Sequence, residues 1–245
     1  MSGTKPVLGY WAVRGLGMQL RLMLKYCQVN FEEELYPQVF DDTATGYNRW
    51  NGDAWWNVWD KQGLPFPNLP YFKDGEAKIT MSSAIARYIC AKWKPELLGV
   101  TPLEVGNAAM LEMALVDFNA ALDKISFSDD GTREQLIECA KEHLTPVHTF
   151  LGGNDFLVGE NITFPDFILF EMIDKCQDEH MFNGKFYETF PKFQAYQARI
   201  QALPNVMTFE ERKAYGLFNG WRAKLGGAGE EMFKKYRSEP TTKKE

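Results

Sequence analysis

The stretch "PNLPYFKDGEAKITMSSAIARY" runs from Pro67 to Tyr88. LPYF and AKIT are short apolar-rich runs on either side of Asp74-Gly75, a dipeptide that favours a hairpin turn because glycine reaches positive φ freely. Ser82 and Ser83 follow the second run, and either suits the N-cap of a helix beginning "AIARYICAKW". The stretch therefore predicts strand, turn, strand and helix. Pro70 has no N–H and interrupts a sheet ladder where it stands. The unpaired N–H groups and dipole of a helix start favour a carboxylate. Such a junction either simply packs or holds the backbone and carboxylate of a small peptide.

Upstream, "KPVLGYW" reads as a buried strand. "GMQLRLMLKYC" carries Met18, Leu22 and Tyr26 at helical spacing, with Leu20 and Leu24 beside them. "FEEELYP" is a more exposed strand ending at Pro37, and residues 38–63 read as irregular and Trp-rich. The order is β-α-β-β-β-α, a small α/β domain over residues 1–93. "KPELLGVTP" supplies breakers for a linker at 94–103. Beyond it strand signals vanish. Leu111, Leu115, Phe118, Leu122 and Ile125 mark one long helix; Leu136, Ala140, Leu144, Val147 and Leu151 mark another. In "NITFPDFILFEMID", Thr163 and Asp166 form a capping box, with Ile162 and Phe167 as the hydrophobic staple. Phe190, Phe193, Tyr196, Ile200 and Leu203 mark a further helix. Residues 104–220 are expected to be an all-α domain. Residues 221–245 are expected to be a C-terminal extension, with "EEMFKKYRS" as a short helix.

The 245 residues carry 45% hydrophobic and 24% charged side chains, an ordinary globular balance. The net charge of −6 argues against nucleic acid and anionic membrane surfaces as partners. Cys27, Cys90, Cys139 and Cys176 form no CxxC pair and lack metal-ligand spacing to His143, His148 and His180, so no metal is expected. There is no run of about 18 apolar residues for a membrane span, nor a presequence pattern at "MSGTKPVLGY". The expectation is a cytoplasmic protein; the alternative is a mitochondrial one without a cleavable presequence.

A small α/β domain followed by an all-helical one resembles the soluble glutathione transferases. "LGYWAVRGLG" at 8–17, "FPNLPYFKDG" at 66–75, "KITMSSAIARYI" at 78–89 and "GENITFPDF" at 159–167 carry the likeness, and the first two look most like the mu class. The resemblance implies a thioredoxin-like N-terminal domain that binds glutathione as substrate. Tyr10 is then the catalytic residue, its hydroxyl hydrogen-bonding the glutathione thiolate. A free thiol has a pKa of about 8.5, and lowering it by about 2 units takes roughly 2.7 kcal/mol of preferential thiolate stabilisation. One charge-assisted hydrogen bond, worth about 1.5–3 kcal/mol, supplies much of that.

The same likeness assigns the tripeptide to Trp11, Arg49, Trp55, Lys61, Asn68, Leu69, Pro70, Met81 and Ser82, with Pro70 cis so that Leu69 presents its backbone. It assigns Asp117 to the partner subunit's glutathione in a homo- or heterodimer. An electrophilic small molecule is expected near Val13, Phe127 and Phe218.

Three positions depart from the family pattern. Met81 stands where a glutamine usually holds the γ-glutamyl end, Trp59 where a lysine stands (with Lys61 two residues on), and Phe127 where the mu class has a tyrosine. Four of the seven tryptophans, Trp50, Trp55, Trp56 and Trp59, crowd one loop, and Trp50, Trp56 and Trp59 offer a surface for a protein partner. The alternative expectation is thus a non-catalytic member serving as a structural or protein-binding subunit of a larger assembly. A thioredoxin-like disulfide reductase is disfavoured, because no cysteine lies between Tyr10 and Arg14.

Overall fold

The computed structural model describes residues 4–40, 50–128, 130–178, 182, 184–220 and 223–227. Arg49 and the expected tail helix at 230–238 lie outside them.

β1 (Val7–Trp11) is one of the two inner strands of the sheet on which the N-terminal half is built. It runs parallel to β2 (Glu32–Tyr36), which requires a crossover, and α1 (Gly15–Tyr26) supplies it. On its other side it pairs antiparallel with β5 (Tyr71–Asp74), which pairs antiparallel with β6 (Ala77–Thr80), giving the order β2-β1-β5-β6. α3 (Ser82–Trp93) closes the unit. α1 is buried from Gly17 to Leu24, because the sheet, α3 and the helical half all pack around it. This is the thioredoxin-like arrangement expected, with two local differences.

The hairpin register pairs Asp74 with Ala77, so the turn residues are Gly75 and Glu76 rather than Asp74 and Gly75. Gly75 has φ 59° and Glu76 does not share it, the pattern of a type II′ turn. Asp74 stays in the strand because its carboxylate accepts from the Tyr88 hydroxyl at 2.9 Å and pairs with Lys92, both on α3. The described residues of the Trp-rich segment, 38–40 and 50–63, are also more ordered than expected. β3 (Val39–Phe40) pairs with β4 (Trp50–Asn51), and α2 (Asp53–Trp56) follows, started by the Asp53 N–H donating to Asn51 Oδ1 at 2.6 Å. A single 3₁₀ turn covers Trp59–Lys61.

The helical half comprises α4 (Pro102–Ser126), α5 (Arg133–Leu151), α6 (Phe164–Gln177), α7 (Phe186–Thr189), α8 (Lys192–Gln201) and α9 (Phe209–Lys213) among the described residues. α4 starts inside the expected linker, since Thr101 and Glu104 form a capping box two residues before it was placed. Asp166 accepts from the Thr163 N–H at 2.7 Å, and also from the Leu157 N–H and the Tyr196 hydroxyl, so the α6 cap is itself a core element. Every residue of α6 from Phe164 to Cys176 is buried. Glu171, Asp174 and Lys175 therefore need partners within the protein. Among the described residues no helix is long and apolar enough to cross a membrane.

Candidate active site at the junction of sheet and helices

A cleft of about 500 Å³ opens where the end of β1 and the starts of α1 and α3 face α4 and α6. Tyr10 lies in its wall, almost wholly buried. Its hydroxyl oxygen accepts the Leu16 backbone N–H at 3.0 Å. Two glycines permit that approach. A Cβ on Gly15 would fall 2.6 Å from the Tyr10 Oη, and one on Gly17 2.5 Å from Cδ1. Burial pushes the Tyr10 hydroxyl up to about 12, against the opposing pull of the Leu16 N–H; Asp123 adds to the rise and Arg21 subtracts from it. At neutral pH the phenol keeps its proton and remains a donor.

α3 begins at Ser82, and Ser82 and Ser83 both line the cleft. The helix is not capped by a serine as expected. Met81 occupies the N-cap position at φ 70°, ψ 118°, and no side chain caps the first turn. A non-glycine residue there costs of order 1–3 kcal/mol, which the surrounding structure must offset.

α4 and α6 present one stripe each. Leu115, Asn119, Asp123 and Phe127 are spaced at i, i+4, i+8 and i+12 along α4 and its C-cap; Ile168, Glu171, Met172 and Lys175 share the facing side of α6. Lys175 Nζ donates to Asp123 Oδ1 at 2.8 Å and to Asn119 Oδ1 at 3.4 Å, while Asn119 Nδ2 donates to Asp123 Oδ2 at 2.9 Å. Arg14 grips Glu171 with two bonds, 2.8 and 2.5 Å, and reaches Asp174 at 2.8 Å. Arg212 bonds the same Asp174 at 3.0 Å. Burial raises the Glu171 carboxyl to about 7, with Arg14 opposing the rise.

Residues after α9 form the last wall. Leu217 and Phe218 accept the backbone N–H groups of Arg14 and Gly15 at 2.8 and 2.9 Å, and the Phe218 ring lies 4.1 Å from the Arg14 guanidinium carbon. The expected C-terminal extension begins as part of the body: Lys224 N–H donates to Ser126 O at 2.7 Å and Lys224 Nζ to Gly131 O at 2.7 Å.

Of the expected site residues, Tyr10, Trp11, Ser82, Val13, Phe127 and Phe218 meet on this cleft. Trp55 does not. It is 2% exposed within an aromatic cluster, 5.1 Å from Tyr36 and 5.9 Å from Tyr71 between ring centroids. Asn68, Leu69, Pro70, Met81 and Lys61 are outside the lining. The Leu69-Pro70 bond is cis. The Leu69 N–H donates to Asn68 Oδ1 at 2.8 Å, Asn68 Nδ2 lies 4.0 Å from the Met81 sulfur, and Lys61 Nζ donates to Asn57 O. Asp117 is exposed on α4. Trp56 and Trp59 are exposed, though the Trp56 ring meets Trp11 edge-on at 6.2 Å. Sequence reasoning missed Leu16, Asn119, Asp123, Glu171 and Lys175. The charges in "FILFEMIDKC" were the available signal, since an otherwise apolar helix rarely carries three unless they are paired.

Residues 6–91 match the family described as "Glutathione S-transferase, N-terminal domain", and residues 116–213 match "Glutathione S-transferase, C-terminal domain". The chain is 33% identical over 226 residues to the "Glutathione S-transferase class-mu 26 kDa isozyme" of Schistosoma japonicum, covering 91% of this chain and 96% of that one. It is 34% identical over 205 residues to human "Glutathione S-transferase Mu 3", covering 83% and 86%. Among solved structures, the glutathione S-transferase Blo t 8 superposes with a TM-score of 0.75 at 25% identity, covering 90% of this chain and 99% of that one. With mu-class proteins at this identity over nearly its whole length, the chain belongs to the glutathione S-transferase family.

Proposed function

We propose that this chain is a mu-like glutathione transferase that conjugates the glutathione thiolate to electrophilic small molecules. The observation that carries the reading is the Tyr10 hydroxyl, placed in the cleft, accepting from Leu16 and holding its own proton up to about pH 12. A group in that state donates to a thiolate rather than competing with it for a proton. Its bond favours the ionised thiol by about 1.5–3 kcal/mol, which brings the thiol pKa toward neutrality. The start of α3, with Ser82 and Ser83, suits a tripeptide carboxylate. For Leu69 to pair with the peptide backbone, the Asn68 side chain must release its N–H. Val13, Phe127 and Phe218 supply apolar contact for the electrophile, and rate comes from proximity to the thiolate.

The reading includes a dimer. Leu103, Met110 and Met113 are exposed on α4, the helix that carries Asp117, and burying them against a second subunit would bring Asp117 toward that subunit's site. It also includes a reducing, cytosolic setting and a role in disposing of electrophiles. Burial pushes the Cys27 thiol to about 11 and the Cys176 thiol to about 12, so both suit packing rather than redox chemistry.

The test is calorimetric titration with glutathione beside an aryl-halide conjugation assay on the protein and its Tyr10→Phe variant. Binding in the micromolar to low-millimolar range with turnover that collapses in the variant supports the reading. No binding at millimolar glutathione overturns it.

A further inference from the structure

Arg21 stands in the second turn of α1 and is 1% exposed, yet it lies outside the lining of the cleft. Long side chains on a helix run back toward its N-terminus. Gly17, four residues earlier, leaves that path open, since a Cβ there would fall 2.9 Å from Arg21 Nη1. The guanidinium thus reaches the turn between β1 and α1. Nη1 donates to the Val13 carbonyl at 3.0 Å, and Nε donates to Glu33 Oε1 on β2 at 2.6 Å. The guanidinium carbon lies 4.2 Å from the centre of the Tyr215 ring and 6.0 Å from that of Tyr10. Nη2 is buried with no hydrogen-bond partner among the described residues. An orphaned donor of that kind is rare and needs a cause. Here the two ring faces supply it, because an aromatic face attracts a cation where no oxygen is in reach.

The turn that Arg21 pins leads into Leu16, whose N–H the Tyr10 hydroxyl accepts. Tyr215 belongs to the segment after α9, where Leu217 and Phe218 accept the N–H groups of Arg14 and Gly15. The guanidinium is therefore clamped between the sheet and the last wall of the cleft. It also brings charge, since a guanidinium is a cation at any working pH. Its partner Glu33 is 18% exposed, so water screens the carboxylate more than the arginine, and the balance behind Tyr10 is positive. Burial, the largest influence, and Asp123 on α4 raise the Tyr10 hydroxyl, whereas Arg21 pulls it down, as a positive balance requires. A thiolate at that hydroxyl gains from the same charge.

Resting on the conjugation reading above, we propose that Arg21 is a positioning residue for Tyr10: held by Glu33, the Val13 carbonyl and the Tyr215 ring, it fixes the turn behind the tyrosine and keeps there a positive charge that favours the thiolate. Its action on the thiol passes through the place of Tyr10 and through the field around it. Tyr215 contributes by walling the guanidinium in. Without that ring the charge meets water, and its field at the thiolate weakens.

The experiment follows kcat/KM for an aryl halide, at saturating glutathione, against pH in the full-length protein and in Arg21→Gln, Arg21→Lys and Tyr215→Leu. Under these conditions the midpoint reports the bound thiol. Arg21→Gln is expected to raise it by about 0.5–1 unit, a loss of about 3- to 10-fold at a pH below both midpoints. Arg21→Lys keeps the charge and is expected to recover most of the shift. Tyr215→Leu keeps Arg21 but opens it to water, and its midpoint is expected to rise about half as far. A merely structural loss lowers the rate alike at every pH and leaves the midpoint where it was. Tyr215 is only half-buried, so Tyr215→Leu decides the matter if Arg21→Gln does not fold. A midpoint unmoved in folded Arg21→Gln or in Tyr215→Leu overturns the inference, as does an Arg21→Lys midpoint raised as far as that of Arg21→Gln. No turnover by the unaltered protein overturns the conjugation reading, and this inference with it.

Discussion

The backbone N–H of Leu16 donates to the Tyr10 hydroxyl at 3.0 Å, across the first turn of α1. This bond occupies a lone pair of the phenol oxygen and leaves the O–H proton available. Since burial holds the hydroxyl at about 12, the ionisation seen in a pH–rate profile should be that of the bound thiol. We expect kcat/KM to rise through a midpoint about 1–2 units below the free-thiol value of about 8.5, then stay level to pH 10. In Tyr10→Phe the midpoint should move back up by that amount, with a loss of about 10- to 150-fold at pH 6.5. A falling limb below pH 10 in the unaltered protein would mean the phenol ionises early and the assignment is wrong.

Gly17 should not tolerate a methyl group. Its Cβ would sit 2.5 Å from the Tyr10 ring and 2.9 Å from Arg21 Nη1, and neither group has room to retreat. Gly17→Ala is expected to cost about 1–3 kcal/mol of stability. It should also lower kcat/KM by about 100-fold through displacement of Tyr10. Retention of full activity in a folded Gly17→Ala protein would show that the Tyr10 position is not critical.

Met81 is the departure easiest to reverse. It is 51% exposed, and its sulfur lies 4.0 Å from Asn68 Nδ2. Met81→Gln places an amide at the position that the family likeness assigns to the γ-glutamyl end, and the dissociation constant for glutathione should fall about 10-fold, as one polar contact of about 1–3 kcal/mol allows. Calorimetry with both proteins checks this. Equal affinities would mean that the tripeptide does not reach residue 81.

Arg14 neutralises Glu171 and Asp174 in the buried space between the two halves. Arg14→Met leaves one carboxylate with no cation and should cost about 3–5 kcal/mol. For a chain of this size that lowers Tm by roughly 10 °C. Adding Glu171→Gln should recover part of the loss, since it removes the orphaned charge. Additive losses in the double variant would argue against a shared network.

Features set within a few residues could be read in advance. The Thr163–Asp166 cap spans three positions, and the apolar stripes of α4 and α5 need only helical spacing. The Ser82 cap failed because Met81 takes a positive φ that no propensity favours and becomes the cap itself, so the helix starts earlier, at Ser82. The surroundings of Trp55 were hidden for a different reason: loop and core tryptophans look alike until Tyr36 and Tyr71 are seen around it. Tyr10, Val13, Phe127 and Phe218 were assigned from a family likeness rather than from spacing, and they do lie on one cleft. The link between Arg14 and Glu171 spans 157 positions and has no local signal beyond the oddity of charge in an apolar helix.

The hydrogen bonds from Arg14 and Gly15 to Leu217 and Phe218 set an order of events during synthesis. At about 5–20 residues per second, the ribosome adds the roof of the cleft roughly 10–40 s after the loop it covers. The sheet can form early with Tyr10 in place, yet the cleft lacks its last wall until Leu217 and Phe218 have been added. A product that stops short of residue 217 would keep the tyrosine and lack the chamber around it.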